Sequence, residues 1–273
     1  MADFRISDFV KHSNDLATIS PAAVELINKI NLPSTSKDEV ARLVSKDEVL
    51  FANVFKVVNS AALSLVRRPK TIQEAVDILG TTQIRNLIFS VAAKRVVADT
   101  KLWYRSVFTA LVAEKIAKEF KIDTDKCSDI YIAGLSQALG EMIFKTFYRH
   151  KYEQVEDIRP CKAREAKEIE IFGFSGTEVA CAISRNFQLP ESIVKILESQ
   201  SLAWHDEKFT KVNAILDLAI SLAEINEDEI DDQESIDALI NYPMLNRFEL
   251  TDIVINPALV KLFHEETKRF VAF

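Results

Sequence analysis

Five glycines in 273 residues constrain this chain more than any single motif in it. The tight turns of an all-β protein and the loops that cradle phosphates need the backbone freedom of glycine, so a chain this poor in it has few places for either. Helices are the remaining default, and their starts are easy to find. Ser36 with Glu39, Ser45 with Glu48, Thr71 with Glu74 and Ser175 with Glu178 stand three apart, the spacing that lets each side chain satisfy the other's free backbone donor. Ser45 and Glu48 fit equally well inside a helix that began at Ser36. Pro21, Pro190 and Pro257 read as first-turn prolines, whose missing donor would be unpaired in a helix anyway.

Apolar residues then recur with helical period: Ile84, Leu87, Ile88 and Val91; Val107, Leu111 and Val112; Phe209, Val212, Ile215, Leu216 and Ile220. Segments this short are marginal in water alone, so each stripe needs a partner helix to cover it. The pattern predicts an all-α, multi-helix globule, and 48% hydrophobic residues supply an ordinary core. No fixed-period repeat, low-complexity tract or Gly/Ser linker interrupts it. The acidic stretch from Glu224 to Glu234 breaks the apolar pattern and predicts a solvated loop ahead of a C-terminal helical appendage.

A formal net charge of −7 repels a phosphate backbone at long range and speaks against nucleic acid as a partner. Cys127, Cys161 and Cys181 are isolated and odd in number, without CxxC spacing, which suits a reducing cytoplasm better than a disulfide framework. The first residues hold no apolar signal core. The longest apolar run, Ile215 to Ala223, is short and interrupted by Asp217, so no membrane insertion is expected.

Chemistry-bearing motifs are scarce. His12, His150, His205 and His264 lie far apart and form no HExxH or HxxxH pair, and there is no GxSxG elbow, P-loop or GxGxxG. Arg67, Arg68, Pro69 and Lys70 make the densest basic spot, read as a solvated loop because no aromatic residues interleave with it. Trp103 and Trp204 read as core packing. Asn59 and Ser60 follow the apolar Val54 to Val58 and read as a helix terminus held by local hydrogen bonds, with ligand contact as the alternative.

The order of segments carries more than any one of them. ISPAAVELINKI, VARLVSKDEVLFANVFKVVNSAALS and PKTIQEAVDILGTTQIRNLIFSVA follow one another in the N-terminal third. Then come LWYRSVFTALVAEKIA, YIAGLSQALGEMIF and GFSGTEVACAISRNFQLPESIVKILESQ. This succession, from about Leu16 to Gln200, resembles the HDOD family, a regulatory offshoot of the HD metal-phosphohydrolases. Leu43, Asp47, Asn59, Ser60, Ala61, Leu79 and Gly80 are among the matching positions.

The resemblance implies an HD-like globule with an N-terminal helical subdomain over 1–100, an HD-like helical subdomain over 101–205 and a C-terminal helical extension over 206–273. It also implies a lost metal site. HD phosphohydrolases hold a divalent ion with histidines and aspartates from separate helices. At the corresponding positions this chain carries Arg105, Gln137, Ala138, Gly176, Ser199 and Gln200. No catalytic residue, metal ligand or cofactor is therefore expected. Asn59, Arg85, Arg105, Gln137 and Gln200 are the candidate contacts to a pocket ligand or partner.

The implied role is a non-enzymatic bacterial signalling or regulatory module, linked by analogy to motility or stress signalling. It would act through an unidentified protein partner or small signal ligand. Two competitors remain: a residual nucleotide or cyclic-dinucleotide phosphohydrolase, which needs Glu141, Glu178 and Glu198 to converge, and a nucleic-acid regulator using Arg67 to Lys70 with Arg85.

Overall fold

A computed structural model of the chain describes residues 4–13, 25, 26, 28, 29, 35–60, 65, 67–203 and 205–272. The expected helix start at Pro21, the matching Ala61 and the packing of Trp204 lie outside them. The described residues form helices with no strand. In chain order these are α1 (Ile6–Ser13), α2 (Lys37–Ser45), α3 (Glu48–Val58), α4 (Ile72–Val96), α5 (Thr100–Glu119), α6 (Thr124–Ser136), α7 (Ala138–Phe147) and α8 (Arg149–Tyr152). There follow α9 (Cys161–Phe172), α10 (Gly176–Asn186), α11 (Glu191–Gln200), α12 (Lys211–Leu222), α13 (Gln233–Leu239), α14 (Tyr242–Arg247) and α15 (Pro257–Val271).

The expected caps hold at most starts. Ser36 accepts from Glu39 N, Thr71 from Glu74 N, and Ser175 and Glu178 form a full reciprocal box at the start of α10. Asn256 caps α15 with Pro257 in its first turn, whereas Pro190 stands one residue earlier than expected, at the N-cap of α11. Ser45 and Glu48 make no cap. Ser45 instead returns its hydroxyl to Ala41 O at 2.8 Å, and Asp47 caps α3 by accepting from Leu50 N at 2.9 Å.

Helix α5 is the axis, covered by α6, α12 and α15, while α7 lies against α10 and α4 against α2, α3 and α6. The predicted stripes face this interior: Ile84, Leu87, Ile88 and Val91 are buried, as are Val107, Ile215 and Leu216. Trp103 is buried as well. Burying an aliphatic or aromatic side chain of this size is worth about 1.5–3 kcal/mol, which is what holds helices too short to stand alone. An aromatic cluster ties the N-terminal α1 to the body, with the Phe9 ring 5.4 Å from that of Phe144, which stacks on Phe172 at 4.3 Å.

Two glycines set the spacing at the centre. A Cβ on Gly134 of α6 would meet Ala110 Cα of α5 at 2.9 Å, and one on Gly140 of α7 would meet Gly176 O of α10 at 1.9 Å. A third, Gly80 at φ +79°, breaks α4 into two helical runs in a conformation that side-chain-bearing residues avoid.

The acidic stretch departs from expectation only in part: Asn226 to Asp228 and Asp231 to Glu234 are exposed as expected. Glu224, Ile225 and Ile230 are buried, and Glu229 takes two hydrogen bonds from Arg159 at 2.7 and 2.8 Å. Arginines from a distant part of the chain neutralise carboxylates that local composition alone assigns to water. Among the described residues, no helix is long and apolar enough to cross a membrane.

Candidate functional site

A cavity of about 50 Å³ lies where α5, α6, α7, α9 and α10 meet, at the close approaches set by Gly134 and Gly140. Helix α5 begins at the cap Asp99, whose carboxylate accepts from Leu102 N at 2.8 Å, and then presents Arg105 and Thr109 to the cavity one turn apart. Gln137, at the α6–α7 junction, Ala138 and Glu141 line the opposite side. Cys161, Arg164, Glu165 and Glu168 project from α9, and Gly176 and Thr177 come from the first turn of α10.

The chemistry of this wall is ionic. Arg105 donates through Nη2 to Glu141 Oε2, so a guanidinium bridges α5 and α7. Arg164 pairs with Glu224 at 2.7 Å and donates to Ile158 O at 3.1 Å. Glu165 accepts from the Thr177 hydroxyl at 2.6 Å and from Lys162 at 3.1 Å. Glu168 accepts from Gly176 N at 2.6 Å and from the Tyr152 hydroxyl at 3.3 Å. Burial outweighs those bonds and pushes the Glu168 carboxyl up to about 7. Burial, and then the neighbouring Arg164 charge, lowers the Arg105 guanidinium from its usual range. Burial also pushes the Cys161 thiol up to about 12, which removes it as a nucleophile at neutral pH.

The ligand-equivalent positions divide in two. Arg105, Gln137, Ala138 and Gly176 converge on the cavity. Gln200 is buried elsewhere, donating to Asp217 Oδ1 at 3.1 Å, and its backbone carbonyl accepts from Lys162. Arg85 is sealed between α4 and α6 by Asp129 at 2.8 Å and Ser128 at 3.0 Å. Asn59 ends α3, its amide donating to Phe55 O at 3.1 Å.

This wall does not fit a divalent ion. A guanidinium donates and cannot coordinate, and two of them repel a cation. Among the described residues, no group of three or more His, Cys, Asp or Glu is placed to hold a metal. Nor do the three glutamates of the phosphohydrolase alternative meet: Glu141 is in the cavity, Glu178 caps α10 and Glu198 pairs with Arg185 on the surface. Arg85 does not join the basic spot: it is buried, while Arg67, Arg68 and Lys70 are exposed, with Arg67 3.7 Å from Glu74 and the Lys70 backbone N–H donating to Glu74 Oε2 at 2.9 Å.

Sequence reasoning missed Arg164, Glu168 and Glu224. The only local trace is the four-residue spacing of Arg164 and Glu168 in CKAREAKEIEIF, which looks like any charged helix face.

Comparison with known proteins adds the lineage. The model of the HDOD domain family matches residues 16–202. A curated relative from Treponema pallidum (strain Nichols), named only as an uncharacterized protein, is 26% identical over 191 residues, 67% of this chain and 37% of its own length. The chain thus spans well under half of that relative. Among solved structures, a Shewanella amazonensis SB2B protein provisionally named a phosphohydrolase superposes with a TM-score of 0.71 at 20% identity, covering 98% of this chain and 99% of its own. One from Marinobacter aquaeolei VT8, provisionally named a signal transduction protein, superposes with a TM-score of 0.70 at 17% identity, covering 99% of this chain and 61% of its own. At these identities the likeness is one of fold.

Proposed function

The chain belongs to the HDOD domain family, and from that premise we propose that it is a non-catalytic signalling or regulatory module of the bacterial cytoplasm, acting through a protein partner or a small signal ligand. One observation carries this reading: Arg105, at a position where the resemblance places a metal ligand, pairs with Glu141 on the cavity wall. A metal-dependent hydrolase needs an open cation position to activate water and neutralise phosphate charge. Here a guanidinium takes that place and engages the Glu141 carboxylate. The name of the Marinobacter aquaeolei relative agrees with a signalling role, while that of the Shewanella amazonensis relative keeps hydrolysis as the alternative to test.

The test is turnover. Purified full chain, supplied with Mg²⁺, Mn²⁺ or Fe²⁺, is incubated with a panel of nucleotides and cyclic dinucleotides. Product formation no faster than the protein-free blank is expected. Sustained hydrolysis that disappears in Glu141→Gln would overturn the proposal.

A further inference from the structure

Arg105 and Arg164 are shared by the inner cavity and a much larger cleft that opens to solvent. This cleft of about 890 Å³ lies between the start of α5, residues 156–159, residues 223–227 and the end of α15. Small-molecule sites span roughly 300–1,000 Å³. The inner cavity admits only a few water-sized atoms, since one water needs about 10–15 Å³ by the same kind of measure. The pair therefore has the proportions of a head pocket beneath a body pocket.

Hydrogen-bonding demand points the same way. Lys101, Arg105, Arg159, Arg164 and Lys268 line the cleft against Glu156, Asp157, Glu224 and Glu227, with Glu141 and Glu229 pairing two of those arginines, so the lining is near balance within a chain of net charge −7. The three carboxylates of the inner cavity, Glu141, Glu165 and Glu168, are each engaged by a donor of the protein itself. Two buried side-chain nitrogens are not engaged. Gln137 Nε2, on the inner cavity, is buried with no hydrogen-bond partner. His264, on the cleft, is 5% exposed and its Nε2 is likewise unpartnered, while the Tyr104 hydroxyl lies 2.8 Å from its Nδ1. The same hydroxyl also reaches His264 O at 3.3 Å, and Nε2 carries the ring proton in the tautomer where the hydroxyl donates to Nδ1. Leaving the Gln137 donor unpaired costs free energy, and beside Arg105 and Arg164 an acceptor that carries negative charge fits it best.

We propose that this cleft binds a small organic anion, its oxyanion head against Arg105, Arg164 and Gln137 and its body alongside Tyr104 and His264. The site deepens the reading of the chain as a non-catalytic module and rests on it, because the anion is held as a signal and not cleaved. A phosphate ester and a carboxylate offer the same head chemistry.

The experiment is calorimetric titration of the full chain with inorganic phosphate and, separately, malonate, with EDTA present. Saturable one-site binding of at least one is expected: phosphate alone identifies a phosphate head, malonate alone a carboxylate, and both the shared oxyanion chemistry. Removing a charged donor in Arg105→Gln should weaken binding about tenfold or more, and Gln137→Leu and His264→Phe about threefold each. The last two leave the ion pairs intact, and circular dichroism checks that all three fold. Absence of binding by either anion, or binding unchanged in the folded Gln137→Leu and His264→Phe variants, overturns the site. Hydrolysis of p-nitrophenyl phosphate by the same sample is read in parallel. Turnover there defeats the non-catalytic reading, and the proposed signal site with it, even where phosphate binds; no turnover and no binding defeats the site alone.

Discussion

Two arginine–carboxylate pairs stand on either side of α6 and teach different things. Arg85–Asp129 is closed: its side chains are 1% and 9% exposed, and neighbouring Ser128, Asn86 and Glu114 extend it into a continuous polar network. Arg105–Glu141 has an equally buried carboxylate, but its arginine is 27% exposed and borders two open spaces. The first is a packing device whose charges are paired inside the protein, although Arg85 Nε has no hydrogen-bond partner there. The second leaves guanidinium donors facing a volume where something else can sit. Residue type does not separate them; the surroundings do.

The sharpest way to break this comparison is to remove the closed arginine. Arg85→Met should cost about 3–5 kcal/mol in urea unfolding, because Asp129 is left buried and unpaired. The double variant Arg85→Met with Asp129→Leu should recover most of that, since a buried pair is worth little against apolar residues of similar volume. A loss under about 1 kcal/mol for the single variant would mean the network is not closed.

The next effect depends on pH. The folded-state value of Glu168 lies above the ordinary carboxylate value, so folding favours its protonated form. Its contribution is fully present below the unfolded value and is lost as pH rises toward about 7. Stability of the native chain relative to Glu168→Gln should fall across that window, by about 3 kcal/mol at most. A flat difference between pH 4 and pH 8 contradicts the burial assigned to this carboxylate.

Smaller again is Arg105→Ala, expected to cost about 1–2 kcal/mol, because water can reach part of the guanidinium it removes. A cost as large as that for Arg85 would erase the distinction between the two pairs. At the bottom of the scale, Lys115→Gln breaks a surface pair with Glu266 in which both side chains are more than a third exposed, and should change stability by less than about 1 kcal/mol.

Much of the fold could be read before the structure, because its signals are local. Ser36, Thr71 and Ser175 mark helix starts through contacts three residues away, and apolar periodicity marks the buried faces. The site was half readable. Arg105, Gln137, Ala138 and Gly176 were found by what they replace, and the structure places all four on one cavity. Gln200 was a candidate by what it replaces and Arg85 by its charge, yet both are consumed by buried partners. Arg164 carried only the spacing of a charged helix face and Glu224 no local mark, because each satisfies the other only after α9 and the segment following α12 are packed together. The same pairing, with that of Arg159 and Glu229, explains why part of the acidic stretch is buried although its composition suggests a solvated loop.

We propose that the cavity supplies its own cation and so has no place for a divalent one. The most direct measurement is titration of the full chain with Mn²⁺ at neutral pH, followed by calorimetry or by paramagnetic relaxation of water. No saturable binding up to millimolar Mn²⁺ is expected, in the native chain and in Glu141→Gln alike. One-site micromolar binding that vanishes in Glu141→Gln would contradict the account.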